Sequence, residues 1–225
     1  MNAVPAEGRE KRLLISDMDS TIITVECIDE IAAHIGVGAR VAAITERAMR
    51  GELDFEAALD ERVGLLKGFA VAELQTVYDQ RVRLTPGAAA LVAGMNARGA
   101  LTALISGGFD FFTERVARAA GFQRHRANRL LEEGGLLTGA VARPILGREA
   151  KREALFAHAA ELGIEAAGAV AVGDGANDLG MIEAAGLGVA WRAKPAVAAA
   201  ADARIDHADL SAVLRLQGLA AEGFA

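Results

Sequence analysis

Two aspartates stand two residues apart in Asp17-Met18-Asp19-Ser20-Thr21, directly after the apolar run Leu13-Leu14-Ile15-Ser16. In extended backbone, side chains at i and i+2 share a side, so Asp17 and Asp19 can converge on one reacting centre. A carboxylate of ordinary pKa is ionised at neutral pH and can be a covalent nucleophile, while a second carboxyl serves as general acid and then base. Read without its surroundings, the same string is equally well a loop whose Asp, Ser and Thr cap a following helix.

Two further strand-like runs end in loops of comparable promise. Leu101 to Ile105 leads into Ser106-Gly107-Gly108, a hydroxyl and two glycines that let backbone N–H groups approach an anion, with a helix starting near Phe109. By itself an ordinary glycine turn explains that string better. Ala169 to Val172 leads into Gly173-Asp174-Gly175-Ala176-Asn177-Asp178, several hard oxygen donors in one glycine-supported turn. Such a turn suits Mg2+, which binds through one or two carboxylates together with substrate oxygens and water. An N-cap accounts for Asn177 or Asp178 but not for Asp174 between two glycines. Lys151, at the opening of a helix before this run, offers the fixed cation that carboxylates facing a phosphate dianion require, although most lysines so placed are merely solvated.

These loops need a scaffold that gathers strand ends. From Pro86 onward helices and strands alternate: helix Gly87 to Arg98, strand Leu101 to Ile105, helix Phe109 to Ala120, a hairpin over Leu130 to Arg143 around Gly134-Gly135, and helix Lys151 to Leu162. Strand Ala169 to Val172, helix Asp178 to Ala185, strand Leu187 to Ala190, a short helix over Ala196 to Ala200, strand Ala203 to Ile205 and helix Leu210 to Leu216 complete the series. Alternation of this kind predicts a parallel sheet, and in open parallel sheets ligands bind outside the carboxyl ends of the strands. Between the first strand and this series, Thr24 to Arg83 reads as helix throughout, with Ile28, Ile31, Ala32 and Ile35 on one stripe. The helical stretch is therefore an insertion.

The chain has 225 residues, 52% hydrophobic and 24% charged, which suits one core domain with a small appendage and argues against disorder. With 24 Lys and Arg against 30 Asp and Glu, the net charge is −6, so nothing attracts phosphate backbones or anionic lipid. Neither a nucleic-acid nor a membrane partner is expected, and no apolar run approaches the ~18 residues of a membrane span. The lone Cys27 excludes an internal disulfide and fits a reducing compartment. The polar segment 1–12 lacks the apolar region of a signal peptide. The expectation is a soluble cytoplasmic protein, monomer or homodimer, acting on a small molecule.

Three strand-end loops and one lysine, in the order DMDST, SGG, Lys151 and GDGAND, resemble the four signature motifs of the haloacid dehalogenase superfamily of phosphatases. The longer strings DMDSTIITVECIDEIA, TERAMRGELDF, RVGLLKG, SGGF and VGDGANDLGMIEAAGLGVAWRAKP are similar to the branch that hydrolyses O-phosphoserine at the end of serine biosynthesis, and the similarity runs from Leu13 to Leu216. Many bacterial members carry an amino-terminal regulatory domain, for which the polar tail is expected to leave no room.

The resemblance implies a Rossmann-like α/β core over residues 13–23 and 85–225, a helical cap over 24–84 and a tail over 1–12. It implies that Asp17 becomes an aspartyl phosphate while Asp19 protonates the leaving oxygen and later activates water. Mg2+ is expected on Asp17, the backbone carbonyl of Asp19 and Asp174, with Asp178 behind these ligands. Ser106, Gly107, Lys151 and Asn177 are expected on the phosphoryl oxygens. In the cap, Glu26 is expected to meet the substrate ammonium and Arg62 its carboxylate, with Met49 and Phe55 packed beside them. Another small phosphomonoester is the alternative substrate. A phospho-receiver module, which also gathers Asp, Ser or Thr and Lys around Mg2+, is a further alternative, against which Asp19 and the helical insertion argue. His34, His125, His158, His207 and Trp191 receive no role.

Overall fold

The computed structural model describes residues 9–219, so residues 1–8 of the polar tail lie outside them. Eight strands follow in chain order: β1 (Leu13–Ser16), β2 (Leu101–Phe109), β3 (Arg124–Asn128), β4 (Leu130–Glu133), β5 (Leu136–Val141), β6 (Ala169–Gly173), β7 (Leu187–Trp191) and β8 (Ala203–Ile205). The α-helices are α1 (Cys27–His34), α2 (Gly38–Met49), α3 (Phe55–Gly64), α4 (Glu73–Arg81), α5 (Ala88–Asn96), α6 (Asp110–Ala120), α7 (Arg148–Glu161), α8 (Leu179–Ala184), α9 (Pro195–Ala200) and α10 (Ala212–Leu216).

Every residue of β1 is buried, which is why it reads as a continuous apolar run: a parallel strand covered on both faces has no solvent side. It lies between β2 and β6 in a six-stranded parallel sheet of order β3-β2-β1-β6-β7-β8. Alternate side chains feed two cores. Leu14 joins Leu91 of α5 and Phe112 of α6, whereas Leu13 and Ile15 join Leu155 of α7 and Met181 of α8. Burying each such side chain stabilises the fold by ~1.5–3 kcal/mol, so the central strand ends are rigid platforms.

The chain leaves the sheet at Ile23 and returns at Leu84, and these two residues form an antiparallel bridge, flanked by hydrogen bonds from Thr24 N to Arg83 O and from Thr85 N to Ile22 O. Between them lie α1 to α4 without a strand, as the sequence predicts. The expected hairpin is present as β4–β5, but it is not a free excursion. Gly68 N donates to Leu137 O, Leu137 N to Phe69 O, and Val71 N to Gly135 O, each at 2.8–2.9 Å, so the hairpin is fastened to the helical insertion.

Other differences are local. β2 does not stop at Ile105 but stays extended through Ser106-Gly107-Gly108 to Phe109, and α6 begins only at Asp110. β3, Arg-His-Arg-Ala-Asn, is an additional edge strand whose first three residues are exposed; its charges hide it from an apolar pattern while protecting an open edge. α7 starts at Arg148, which places Lys151 at the end of the first helical turn. Ala176–Asp178 is a 3-10 turn ahead of α8.

Candidate active site

The carboxyl ends of β1, β2 and β6 meet. Asp17 continues the β1 ladder, its N–H donating to Val172 O at 3.0 Å. Asp17 and Asp19 both have extended dihedrals, are buried, and line one cavity of about 710 Å³. Their carboxylates are held differently. Asp17 Oδ1 accepts from Met18 N at 2.8 Å and pairs with Lys151 Nζ at 2.7 Å. Asp19 Oδ1 accepts from Cys27 N at 2.8 Å, and Oδ2 from Ser106 Oγ at 3.2 Å.

Lys151 is fully buried beneath these groups and also donates to Asp178 Oδ1 at 2.6 Å. Asp178 Oδ2 in turn accepts from the N–H groups of Asp174 and Gly175 at 3.1 and 3.0 Å. Asp178 is thereby spent on holding Lys151 and the turn. The turn closes this tightly because position 173 carries no side chain: a Cβ there would lie 2.5 Å from the Asp178 carboxyl. The same reason fixes Gly108, where a Cβ would stand 2.6 Å from Asp19 Oδ2.

The site carries more negative charge than its lysine can balance. Burial, then the neighbouring charge of Asp178, raises the Asp17 carboxyl well above its ordinary value despite Lys151. Burial and Asp178 likewise push Asp174 up to about 6. Burial disfavours the Lys151 ammonium, but Asp17 and Asp178 overcome it and hold the group above its usual value. Burial raises Asp19 as well, opposed by the Cys27 and Ser106 hydrogen bonds.

A divalent cation fits this donor set. Oxygens of Asp17, Asp174 and Asp178 lie within 4.8 Å of one another. With Asp178 engaged by Lys151 and two backbone donors, Asp17 and Asp174 remain as the facing ligands, and Thr21 Oγ1 orients Asp174 through a 3.2 Å hydrogen bond. All the donors are hard oxygens, the preference of Mg2+, Ca2+ and Mn2+.

The insertion builds the opposite wall. Glu26, Ile28 and Asp29 at the start of α1, Thr45, Ala48 and Met49 on α2, and Phe55, Ala58, Leu59 and Arg62 on α3 line the same cavity. The last two sets are i, i+3, i+4 faces of their helices. Glu26 accepts from Ser20 Oγ at 2.6 Å, and burial, then the charge of Asp19, pushes its carboxyl up to about 7. Arg62 is steadied by a 3.1 Å hydrogen bond from Nε to Ala58 O. Phe55 rests on the backbone at Gly107 and Gly147, where an added Cβ would meet its ring at 3.2 and 3.3 Å.

Of the residues singled out from sequence, Asp17, Asp19, Glu26, Met49, Phe55, Arg62, Gly107, Asp174 and Asn177 line the cavity. Lys151, Asp178 and Ser106 lie fully buried behind its wall. Ser106 Oγ bridges Asp19 and the Gly108 N–H, the latter at 2.9 Å. Asn128, in the charged β3, carries no signal in the sequence. It is buried, its Nδ2 donates to Gly107 O at 2.8 Å and its Oδ1 accepts from Leu146 N at 2.6 Å, so it fixes the glycine segment. Gly108, Asp29, Thr45 and Lys194 also line the cavity, within motif strings but without an assigned role, and Arg148 lines it outside any motif.

Residues 14–183 match the haloacid dehalogenase-like hydrolase family, and this chain belongs to it. Its relatives within the family include phosphoserine phosphatases. It is 48% identical over 210 residues to the phosphoserine phosphatase of Polaromonas sp. (strain JS666 / ATCC BAA-500), covering 91% of this chain and 89% of that protein. Two solved structures are equally alike in extent. A phospho-aspartyl intermediate analogue of phosphoserine phosphatase superposes with TM-score 0.84 at 40% identity, and a substrate-bound phosphoserine phosphatase complex with TM-score 0.85 at 39%. Each covers 92% of this chain and 98% of the other. Among the described residues no helix is long and apolar enough to cross a membrane.

Proposed function

We propose that this chain is a Mg2+-dependent phosphoserine phosphatase that works through an aspartyl phosphate on Asp17. The observation that carries the reading is the cavity itself, which sets the Asp17–Asp19 pair against a wall bearing Glu26 and Arg62. O-phosphoserine is a phosphomonoester at one end and a zwitterion at the other, and the two walls match the two ends.

An oxygen of Asp17 attacks phosphorus while Asp19 delivers a proton to the departing serine oxygen, so that the serine O–P bond breaks as the Asp17 O–P bond forms. Asp19, now a carboxylate, takes a proton from water, which attacks phosphorus and frees inorganic phosphate and Asp17. Lys151, fixed by Asp178, holds Asp17 in place and supplies positive charge toward the phosphoryl group. Gly107 and Asn177 contact the phosphoryl oxygens, while Ser106 acts on that end through Asp19 and the Gly108 amide. Asp17, the Asp19 carbonyl and Asp174 would hold Mg2+, which when bound would offset the charge of the phosphoryl oxygens. Helices α1 to α4, residues 24–84, form a cap that closes over the substrate, with the β4–β5 hairpin as its outer support.

The substrate ammonium meets Glu26, whose raised carboxyl makes no ion pair within 4.0 Å among the described residues, and the carboxylate meets Arg62, on which the charges of Asp29 and Glu26 act. Arg62 forms no ion pair within 4.0 Å among the described residues, so its guanidinium is available for a bidentate contact. Met49 and Phe55 pack beside the serine carbon. The enzyme is placed in the cytoplasm as a monomer or homodimer, consistent with the buried free thiol of Cys27, and has no nucleic-acid or membrane partner.

A phosphate-release screen over small phosphomonoesters tests the assignment: phosphoserine is expected to lead in kcat/KM, and a different preferred ester would overturn it. Arg62→Ala is expected to lower the preference for phosphoserine over phosphoethanolamine roughly tenfold or more, the value of a charge-assisted pair. An unchanged ratio of the two kcat/KM values would place the carboxylate elsewhere. Chelation is expected to abolish turnover and Mg2+ to restore it. Ca2+, which readily takes both oxygens of a carboxylate, is expected to compete with Mg2+ and inhibit, because Asp17 then has no free oxygen for attack. Full activity in Ca2+ alone would exclude the dual role of Asp17 as ligand and nucleophile.

A further inference from the structure

We infer that Thr45 is a specificity-determining residue whose hydroxyl donates a hydrogen bond to the substrate carboxylate beside Arg62; the inference rests on the reading of Arg62 as the carboxylate site. Among the described residues, Thr45 Oγ1 is the one buried side-chain nitrogen or oxygen without a hydrogen-bond partner. Buried hydroxyls are nearly always satisfied, and an orphan is costly to keep. In a helix the default partner of a threonine is a carbonyl one turn back, yet on α2 that bond is not made.

The surroundings indicate what the group awaits. Thr45 shares the cavity-lining face of α2 with Ala48 and Met49, whose side chains carry no hydrogen-bond donor. On the same wall α3 contributes Phe55, Ala58, Leu59 and Arg62. Thr45 is therefore the sole neutral hydroxyl donor that α2 and α3 present to a ligand in this part of the wall. A carboxylate offers about four lone-pair positions and a bidentate arginine fills two, leaving room for another donor. With the ammonium assigned to Glu26, the hydroxyl, as a donor, falls to the carboxylate. Threonine populates two χ1 rotamers in helices. Oγ1 is sealed in this structure, on a residue that lines the cavity, and its role requires a turn about Cα–Cβ that brings it to the cavity face when a ligand is there to receive it.

The test compares Thr45→Val, which keeps the shape and removes the hydroxyl, with Thr45→Ser, which keeps the hydroxyl, each assayed with phosphoserine and with phosphoethanolamine. Thr45→Val is expected to lower kcat/KM for phosphoserine on the order of tenfold, as for a hydrogen bond to a charged group, chiefly through KM. Phosphoethanolamine should change less than about twofold, and Thr45→Ser should keep most of the wild-type preference. The melting temperature of Thr45→Val should not fall, because an unsatisfied group is being removed. Equal losses on both substrates, or an unchanged preference, would overturn the role of Thr45. Arg62→Ala, run in parallel, separates the two levels. If it shifts the preference and Thr45→Val does not, only the Thr45 inference fails; if neither shifts it, the carboxylate site itself is misplaced.

Discussion

Asp17→Asn should leave a folded protein that releases no phosphate. The substitution is nearly isosteric, and the amide cannot form an acyl phosphate, so the loss is of the covalent step and not of a contact that binding energy could replace. The fold should survive because two effects oppose one another. The variant gives up the ion pair with Lys151, whose Nζ stands 2.7 Å from Asp17 Oδ1. It also loses a buried charge beside Asp178, the crowding that raises the Asp17 carboxyl after burial itself. Lys151 keeps its 2.6 Å partner in Asp178, so no buried ammonium is stranded. The expected result is a melting temperature within a few degrees of wild type and activity below detection in a steady-state phosphate assay. Substantial turnover by the purified variant would exclude the covalent route.

Asp19→Asn should lower turnover of phosphoserine by ~10²–10⁴-fold, the range of a lost general acid–base group. Burial raises the Asp19 carboxyl, which favours a proton held at the start of the reaction and suits an acid that must protonate an alkoxide leaving group. The two half-reactions depend on Asp19 differently, and a substrate with a good leaving group separates them. With p-nitrophenyl phosphate the first step needs little proton assistance, whereas hydrolysis of the acyl phosphate still needs a base. The variant should therefore give a burst of p-nitrophenol close to one equivalent per enzyme, followed by a slow phase. A drop of less than about threefold on phosphoserine, or a linear time course without a burst on the aryl ester, would mean that Asp19 has another task.

Much of this site was legible in the sequence because its acidic groups follow directly on fully apolar strands. A buried parallel strand announces itself by composition, and the residues after it have to face the ligand side of the sheet, so Asp17, Asp19 and Asp174 declare their place before any coordinate is known. Glu26 and Arg62 are different. An arginine within Asp60-Glu61-Arg62 reads as a solvated helix charge, and only the longer resemblance pointed to the cavity in which both lie. Asn128 was illegible for a physical reason: its hydrogen bonds to Gly107 and Leu146 join segments far apart in the chain, and its strand is a charged edge with no apolar period. The main-chain bonds from Gly68 and Val71 to the hairpin were hidden likewise, since backbone groups leave no trace in side-chain pattern. Ser106 shows a third limit. Residue type and spacing placed it at the strand end, but not its orientation toward Asp19 with no surface left to the cavity.

The position of β1 at the centre of the sheet bears on the order of assembly during synthesis. Leu13 has one neighbour at Leu101 and the other only at Ala169, so the strand leaves the ribosome long before either partner exists. At ~5–20 residues per second the wait for β6 lasts roughly ten to thirty seconds. Helices α1 to α4 close mainly local contacts and can form in that interval, while an apolar strand with both edges open waits beside them. The nascent chain is thus a natural client for chaperones that shield short hydrophobic segments, and the stretch carrying Asp17 and Asp19 is translated before both of its sheet neighbours and completed only when β6 arrives.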